Sequence, residues 1–119
     1  MQFSIFITAL VSLIMTVSSA PIEARSAMSG DATFYTVGLG SCGSTNSDSE
    51  MVAALSSSLM GSKSNCGKSI SIKGPSGSVT VKVVDTCPGC AESDIDMSPA
   101  SFKKIAKLDD GRVPISWSI

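Results

Sequence analysis

Four cysteines, Cys42, Cys66, Cys87 and Cys90, in a chain of 119 residues with no histidine, set the tightest limits on this fold. A structural zinc site wants two close-spaced cysteine pairs or a Cys-His set. Here only Cys87 and Cys90 are close together. A thioredoxin-like redox pair opens a helix that lowers the pKa of its first thiol. "CPGC" is instead followed by "AESDID", whose acids would raise it. An even cysteine count in a secreted chain points to two disulfides, and spacing alone leaves three connectivities open. The missing histidine removes Ser-His and Cys-His catalysis and most protein zinc and copper sites. Glu92, Asp94 and Asp96 could collect Ca²⁺ weakly, but they are too few and too close in sequence for a calcium loop. No metal and no cofactor is expected.

Secretion is read from the first twenty residues, "MQFSIFITALVSLIMTVSSA", which carry no charge and end in small side chains. That is a signal-peptide pattern, although no Lys or Arg marks its start; an N-terminal anchor is the alternative. Cleavage fits after Ser19 or Ala20, and residues 21–29 read as a linker or short pro-segment. The remaining part, about 95 to 100 residues, is one small domain, placed at 30–119. A domain of that size buries a modest core and often leans on disulfides. With 9 basic and 10 acidic residues and no basic stripe, neither nucleic acid nor an anionic membrane is an expected partner. A secreted, extracellular monomer is expected.

Along the chain, "ATFYTV" (32–37) reads as a strand and residues 38–50 as a turn-rich loop. "MVAALSSSLM" (51–60) reads as a strand followed by a helical turn. "KSISIK" (68–73) alternates as a half-buried strand does, and "VTVKVVD" (79–85) returns as its hairpin partner after "GPSGS". "SPASFKKIAKL" (98–108) predicts a helix capped by Ser98, with Pro99 in its first turn and Phe102, Ile105 and Leu108 on one face. "GRVPISWSI" (111–119) is a final strand with Val113, Ile115 and Trp117 on one side. Short strands with one helix make a small β-barrel or sandwich.

In order, "GDATFYTVGLGSCG", "MVAALS", "NCGKSISI", "VTVKVVDTCPGCAESDIDMSPASFKKIA" and "GRVPISWSI" resemble the barwin, expansin and RlpA-like superfamily. The likeness is greatest to its small single-domain secreted members of fungal type, a type that includes a bacterial papain inhibitor. The resemblance implies an all-β fold, a six-stranded double-psi β-barrel with one short helix. It also implies the pairing Cys42–Cys66, which leaves Cys87–Cys90. Closing the longer loop is worth roughly 3 kcal/mol in the chain-entropy model. The groove residues of expansin-like relatives match Thr33, Tyr35, Asp85 and Asp96, and in lytic relatives a groove aspartate at the place of Asp96 acts as general acid. Against these stand two structural roles: Asp96 as a cap ahead of Ser98-Pro99, and Asp85 as an acceptor for turn amides.

The departures from the family bear on function. Hydrolysis with inversion needs a second carboxylate as base, and "TVGLGSCG" has no acid where relatives carry one. The groove histidine of the RlpA-type lytic enzymes is missing, and the chain to residue 119 leaves no room for the second domain of full expansins. Of Phe34, Tyr35, Phe102 and Trp117, the last two are expected in the core, so little is left for stacking on sugar rings. Non-hydrolytic binding to cell-wall polysaccharide is the leading expectation. A protein-binding module, such as a papain-like protease inhibitor or secreted effector, comes second. Catalysis, as a lytic glycosidase or a flavin-aldehyde enzyme, comes third, since no dinucleotide fingerprint is present.

Overall fold

The computed structural model describes residues 27–61 and 64–119; the expected signal segment and most of the expected linker lie outside these. Six strands close into a barrel: β1 (Met28–Phe34), β2 (Val52–Ser56), β3 (Ser69–Gly74), β4 (Gly77–Cys87), β5 (Ile95–Met97) and β6 (Val113–Ser118). Around the barrel their order is β1-β5-β2-β4-β3-β6. Two neighbouring pairs, β1/β5 and β2/β4, are parallel, and the other four are antiparallel. Closure pairs every strand on both sides, so no open edge remains.

The hydrophobic alternation explains why these segments form strands. In β3, Ile70 and Ile72 point inward while Ser69, Ser71 and Lys73 face out, and β6 alternates in the same way through Val113, Ile115 and Trp117. The two tails of the β3–β4 hairpin meet at Gly74 and Gly77, leaving Pro75 and Ser76 as the turn. Ile70, Ile72, Val81, Val83, Leu55, Ile95, Met97, Phe102 and Ile105 fill the barrel, each no more than 2 % exposed. Phe102 and Trp117 are both core residues, as their spacing predicts. Trp117 satisfies its ring N–H by donating to the Ser93 carbonyl at 2.8 Å.

The helices are shorter than the sequence suggests. A single turn, α1 (Ser57–Met60), follows β2. The expected helix over 98–108 is only α2 (Pro99–Phe102), with a separate 3-10 turn at Leu108–Asp110. Ser98 caps α2 as predicted, accepting from the Ser101 amide. The helix stops because the following backbone docks on the hairpin: the Ser76 amide donates to the Ile105 carbonyl at 2.9 Å. Gly74 lies against Ile105 so closely that a Cβ there would come within 2.9 Å of its side chain. Tertiary docking outweighs the local helical preference.

Strand β5 is the element the sequence hid. Three residues, Ile-Asp-Met, are too few to show a period, yet they pair with β1 on one side and β2 on the other. Two disulfides, Cys42–Cys66 and Cys87–Cys90, carry the pairing the resemblance implied. None of the helices among the described residues is long and apolar enough to cross a membrane.

Candidate functional site

Strand register gathers three of the expected groove residues into one row. Thr33 of β1 lies opposite Asp96 of β5, Asp96 opposite Ala54 of β2, and Ala54 opposite Asp85 of β4. Their neighbours Ala32, Ala53, Leu55, Ile95 and Met97 are buried in the barrel, so alternation turns the row to the outer face. The register shifts between Ala53 and Ala54, with Val84 as the extra residue of β4. Without that bulge Val84, not Asp85, would face Ala54. At ~4.8 Å per strand, the backbones of Asp85 and Asp96 stand about 10 Å apart. Ala54 between them is buried, and the buried Tyr35 hydroxyl lies near both acids.

Asp96 is half-buried. The Thr33 hydroxyl donates to its Oδ1 at 2.8 Å. Cys87 Sγ stands 3.9 Å from its Oδ2; that sulfur belongs to a disulfide and has no proton, so this is packing and not a hydrogen bond. Burial pushes the Asp96 pKa above its ordinary value, the Thr33 bond and the charge of Arg112 oppose the shift, and the charge of Asp85 adds to it. Burial of this kind favours the protonated carboxyl, the form a general acid needs. Asp96 does not cap α2; Ser98 does.

Asp85 accepts two backbone amides on one oxygen, from Ser41 and from Thr86, each at 2.8 Å. The loop that supplies Ser41 can approach because of Gly40, where a Cβ would stand 2.2 Å from the Val84 carbonyl oxygen. Cys42, two residues on, is bonded to Cys66 and donates its amide to that same carbonyl at 3.3 Å. Asp85 is thus an amide acceptor as well as a groove residue.

Tyr35 continues β1, its amide donating to the Met97 carbonyl at 3.0 Å. Its hydroxyl oxygen is buried and has no partner in hydrogen-bonding geometry, although the Asp85 carboxylate is near. Burial, then the charges of Asp85 and Asp96, raise its pKa far above the usual tyrosine range. The phenol therefore stays protonated.

Two groups escaped the sequence reading. Asp48 returns from the 38–50 loop to accept the Val37 amide at 2.7 Å, close enough to Tyr35 to add to its shift. Arg112, just before β6, bridges Asp31 at 3.2 Å and Asp94 at 3.4 Å. No local signal marks either, because each reaches the site by long-range folding. Asp94 is engaged by Arg112 and by the Asp31 amide, and Asp96 by Thr33. Among the described residues no three His, Cys, Asp or Glu side chains come together to hold a metal ion.

Residues 27–117 match a double-psi β-barrel family model described as "Lytic transglycolase". The Asp f 7 allergen homolog of Arthroderma benhamiae is 40 % identical over 76 % of this chain, which spans 33 % of that protein. An EG45-like domain containing protein of Citrus jambhiri is 33 % identical over 81 % of the chain and 84 % of its own length. Among solved structures, a mutant of Clavibacter michiganensis expansin in complex with cellohexaose superposes with a TM-score of 0.73 at 29 % identity. That match covers 78 % of this chain and 50 % of the expansin. The Streptomyces papain inhibitor superposes at 0.72 with 32 % identity, over 77 % of this chain and 92 % of its own. The chain thus spans a third to a half of some relatives and most of others. On sequence, disulfides and barrel topology together, it belongs to the RlpA-like double-psi β-barrel family, the family of expansin-like proteins.

Proposed function

We propose that this is an extracellular protein that binds cell-wall polysaccharide without cleaving it, as a monomer, along the Thr33–Asp96–Ala54–Asp85 row with Tyr35 at its side. One observation carries the reading: strand register brings the half-buried hydrogen-bonding groups of Thr33, Asp96 and Asp85 together on the outer side of the barrel, with Tyr35 beside them and the buried Ala54 beneath. The expansin with cellohexaose supports the ligand class, and the apolar N-terminus supports secretion. Asp96 could serve as an acid, but inverting hydrolysis also needs a carboxylate free to activate water. Asp85 and Asp48 each accept backbone amides through Oδ1, a structural role, and "TVGLGSCG" after Tyr35 supplies no further acid. The test is titration with cellohexaose alongside an assay for new reducing ends. Saturable binding with no new ends supports the reading; no binding to cellulose, chitin or peptidoglycan oligomers sinks it.

A second reading has its own observation. Leu39 is 74 % exposed where its bridge to Thr45 closes a loop that Cys42–Cys66 also ties down. An exposed apolar side chain on a tied loop suits contact with a protein pocket, and the papain inhibitor is a relative. Leu39→Asp should abolish any inhibition of papain; inhibition that survives it removes the loop from this reading.

A further inference from the structure

The Cys87–Cys90 bridge lies on the same side of the barrel as the groove. Cys87 ends β4 two residues after Asp85, opposite Ser56 of β2, while Asp96 stands opposite Ala54 of that strand. Alternation gives both the outward side. The bridge joins residues 3 apart, and closing so short a loop removes little chain entropy. Its sulfur has a neighbour in the groove: Cys87 Sγ is 3.9 Å from Oδ2 of Asp96, the oxygen that Thr33 does not bond. The other groups facing this carboxyl give Oδ2 no hydrogen bond. The Ser56 hydroxyl donates to the Glu92 carbonyl at 2.9 Å, Arg112 bridges Asp31 and Asp94, and Asp85 accepts backbone amides. The Tyr35 hydroxyl lies by the Asp85 carboxylate. Among the described residues, Oδ2 therefore has a sulfur without a proton beside it and no hydrogen-bond donor.

We propose that this bridge is a positioning element for Asp96: its sulfur screens Oδ2 from water, so the carboxyl takes up its proton on that oxygen, and the bridge thereby sets the pH at which the groove becomes charged. The inference rests on the groove reading only for its effect on binding. The two protonation states meet the sulfur differently. An ionised Oδ2 loses water to it and gains no hydrogen bond in return. A protonated Oδ2 can point its O–H at the sulfur, a weak acceptor, while Oδ1 keeps the Thr33 bond. Both effects favour the neutral acid, in line with the burial that raises the Asp96 pKa. The charges of Arg112 and Asp85 also act on this group, in opposite directions. They come from other parts of the chain and remain when the bridge is removed.

Carboxyl NMR titration of Asp96 tests this in the native chain and in two variants that lose the same bridge and keep Cys42–Cys66. Cys87→Ser with Cys90→Ser puts a hydroxyl, and the water it admits, beside Oδ2, so the Asp96 midpoint should fall below the native one. Cys87→Val with Cys90→Ala keeps a small apolar wall there and should hold the midpoint near the native value. In each protein, cellohexaose affinity should rise at least about tenfold as pH climbs through that midpoint, because ionised oxygens accept the sugar hydroxyls more strongly. Equal falls in both variants overturn the proposal, since the bridge then acts only by holding the loop. An unchanged midpoint in the serine variant overturns it as well. Midpoints that move as expected, with no cellohexaose binding at any pH, overturn the groove reading and leave the bridge's role standing.

Discussion

Replacing Asp96 with Asn separates charge from shape at the centre of the row. Asn keeps an oxygen to accept from Thr33, a bond of 2.8 Å in the native protein. Two effects on stability then oppose each other. Burial raises the Asp96 pKa above its ordinary 3.8, so the folded state holds this proton more tightly than the unfolded state does. Native stability from this group is fully present below 3.8 and is lost as pH rises through the higher folded value. Asn lacks that loss, which favours the variant at neutral pH. Against this, the Thr33 bond becomes neutral instead of charge-assisted, a loss of about 0.5–1.5 kcal/mol. The two oppose each other, and at neutral pH the variant is expected within about 1 kcal/mol of the native protein, or ~4–8 °C in Tm. Cellohexaose binding should still fall at least about tenfold, ~1.4 kcal/mol. Thermal melts of both proteins from about pH 3 to pH 7, with a binding isotherm at each end, make the assay. The difference in Tm should shift in favour of the variant as pH rises. Melts that run parallel across the range would refute the desolvated carboxylate, and unchanged binding would remove Asp96 from the groove.

Three further outcomes follow from the packing. Replacing Cys42 and Cys66 by Ala should destabilise the fold by roughly 3 kcal/mol, and replacing Cys87 and Cys90 by less, since the bridges join residues 24 and 3 apart; denaturant melts would show the order, and equal losses would contradict it. Gly40→Ala places a Cβ 2.2 Å from the Val84 carbonyl oxygen, so the loop must move and Ser41 must release Asp85. A destabilisation of ~1–3 kcal/mol is expected, together with weaker glycan binding. Ser98→Ala removes a buried hydroxyl that donates to the Glu50 carbonyl at 2.6 Å and caps α2. It should cost ~1–3 kcal/mol while leaving affinity unchanged.

The parts of the fold that show in the sequence are those decided locally. β3, β4 and β6 alternate with a period of two, and Ser98-Pro99 announces a helix start. Ser98 caps α2 as predicted, but the helix itself ends at Phe102, because the backbone at Ile105 finds its partner on the β3–β4 turn. β5 has no signal of its own and exists through two flanking strands. The site follows the same division. Thr33, Tyr35, Asp85 and Asp96 are named by resemblance to a family, and barrel closure brings Thr33, Asp85 and Asp96 into one row. Asp48 and Arg112 sit in turn-rich segments whose residue types describe a solvated loop, and only long-range folding gives them a place at the groove.

The central claim is that a glycan lies along the Thr33–Asp96–Ala54–Asp85 row, and amide chemical-shift mapping during titration with cellohexaose tests it residue by residue. The account predicts the largest changes at Thr33, Tyr35, Ala54, Thr86 and Asp96, with little change on the opposite face at Ser71, Lys73 and Ser116. Changes concentrated on that opposite face, or confined to the Leu39 loop, would contradict it.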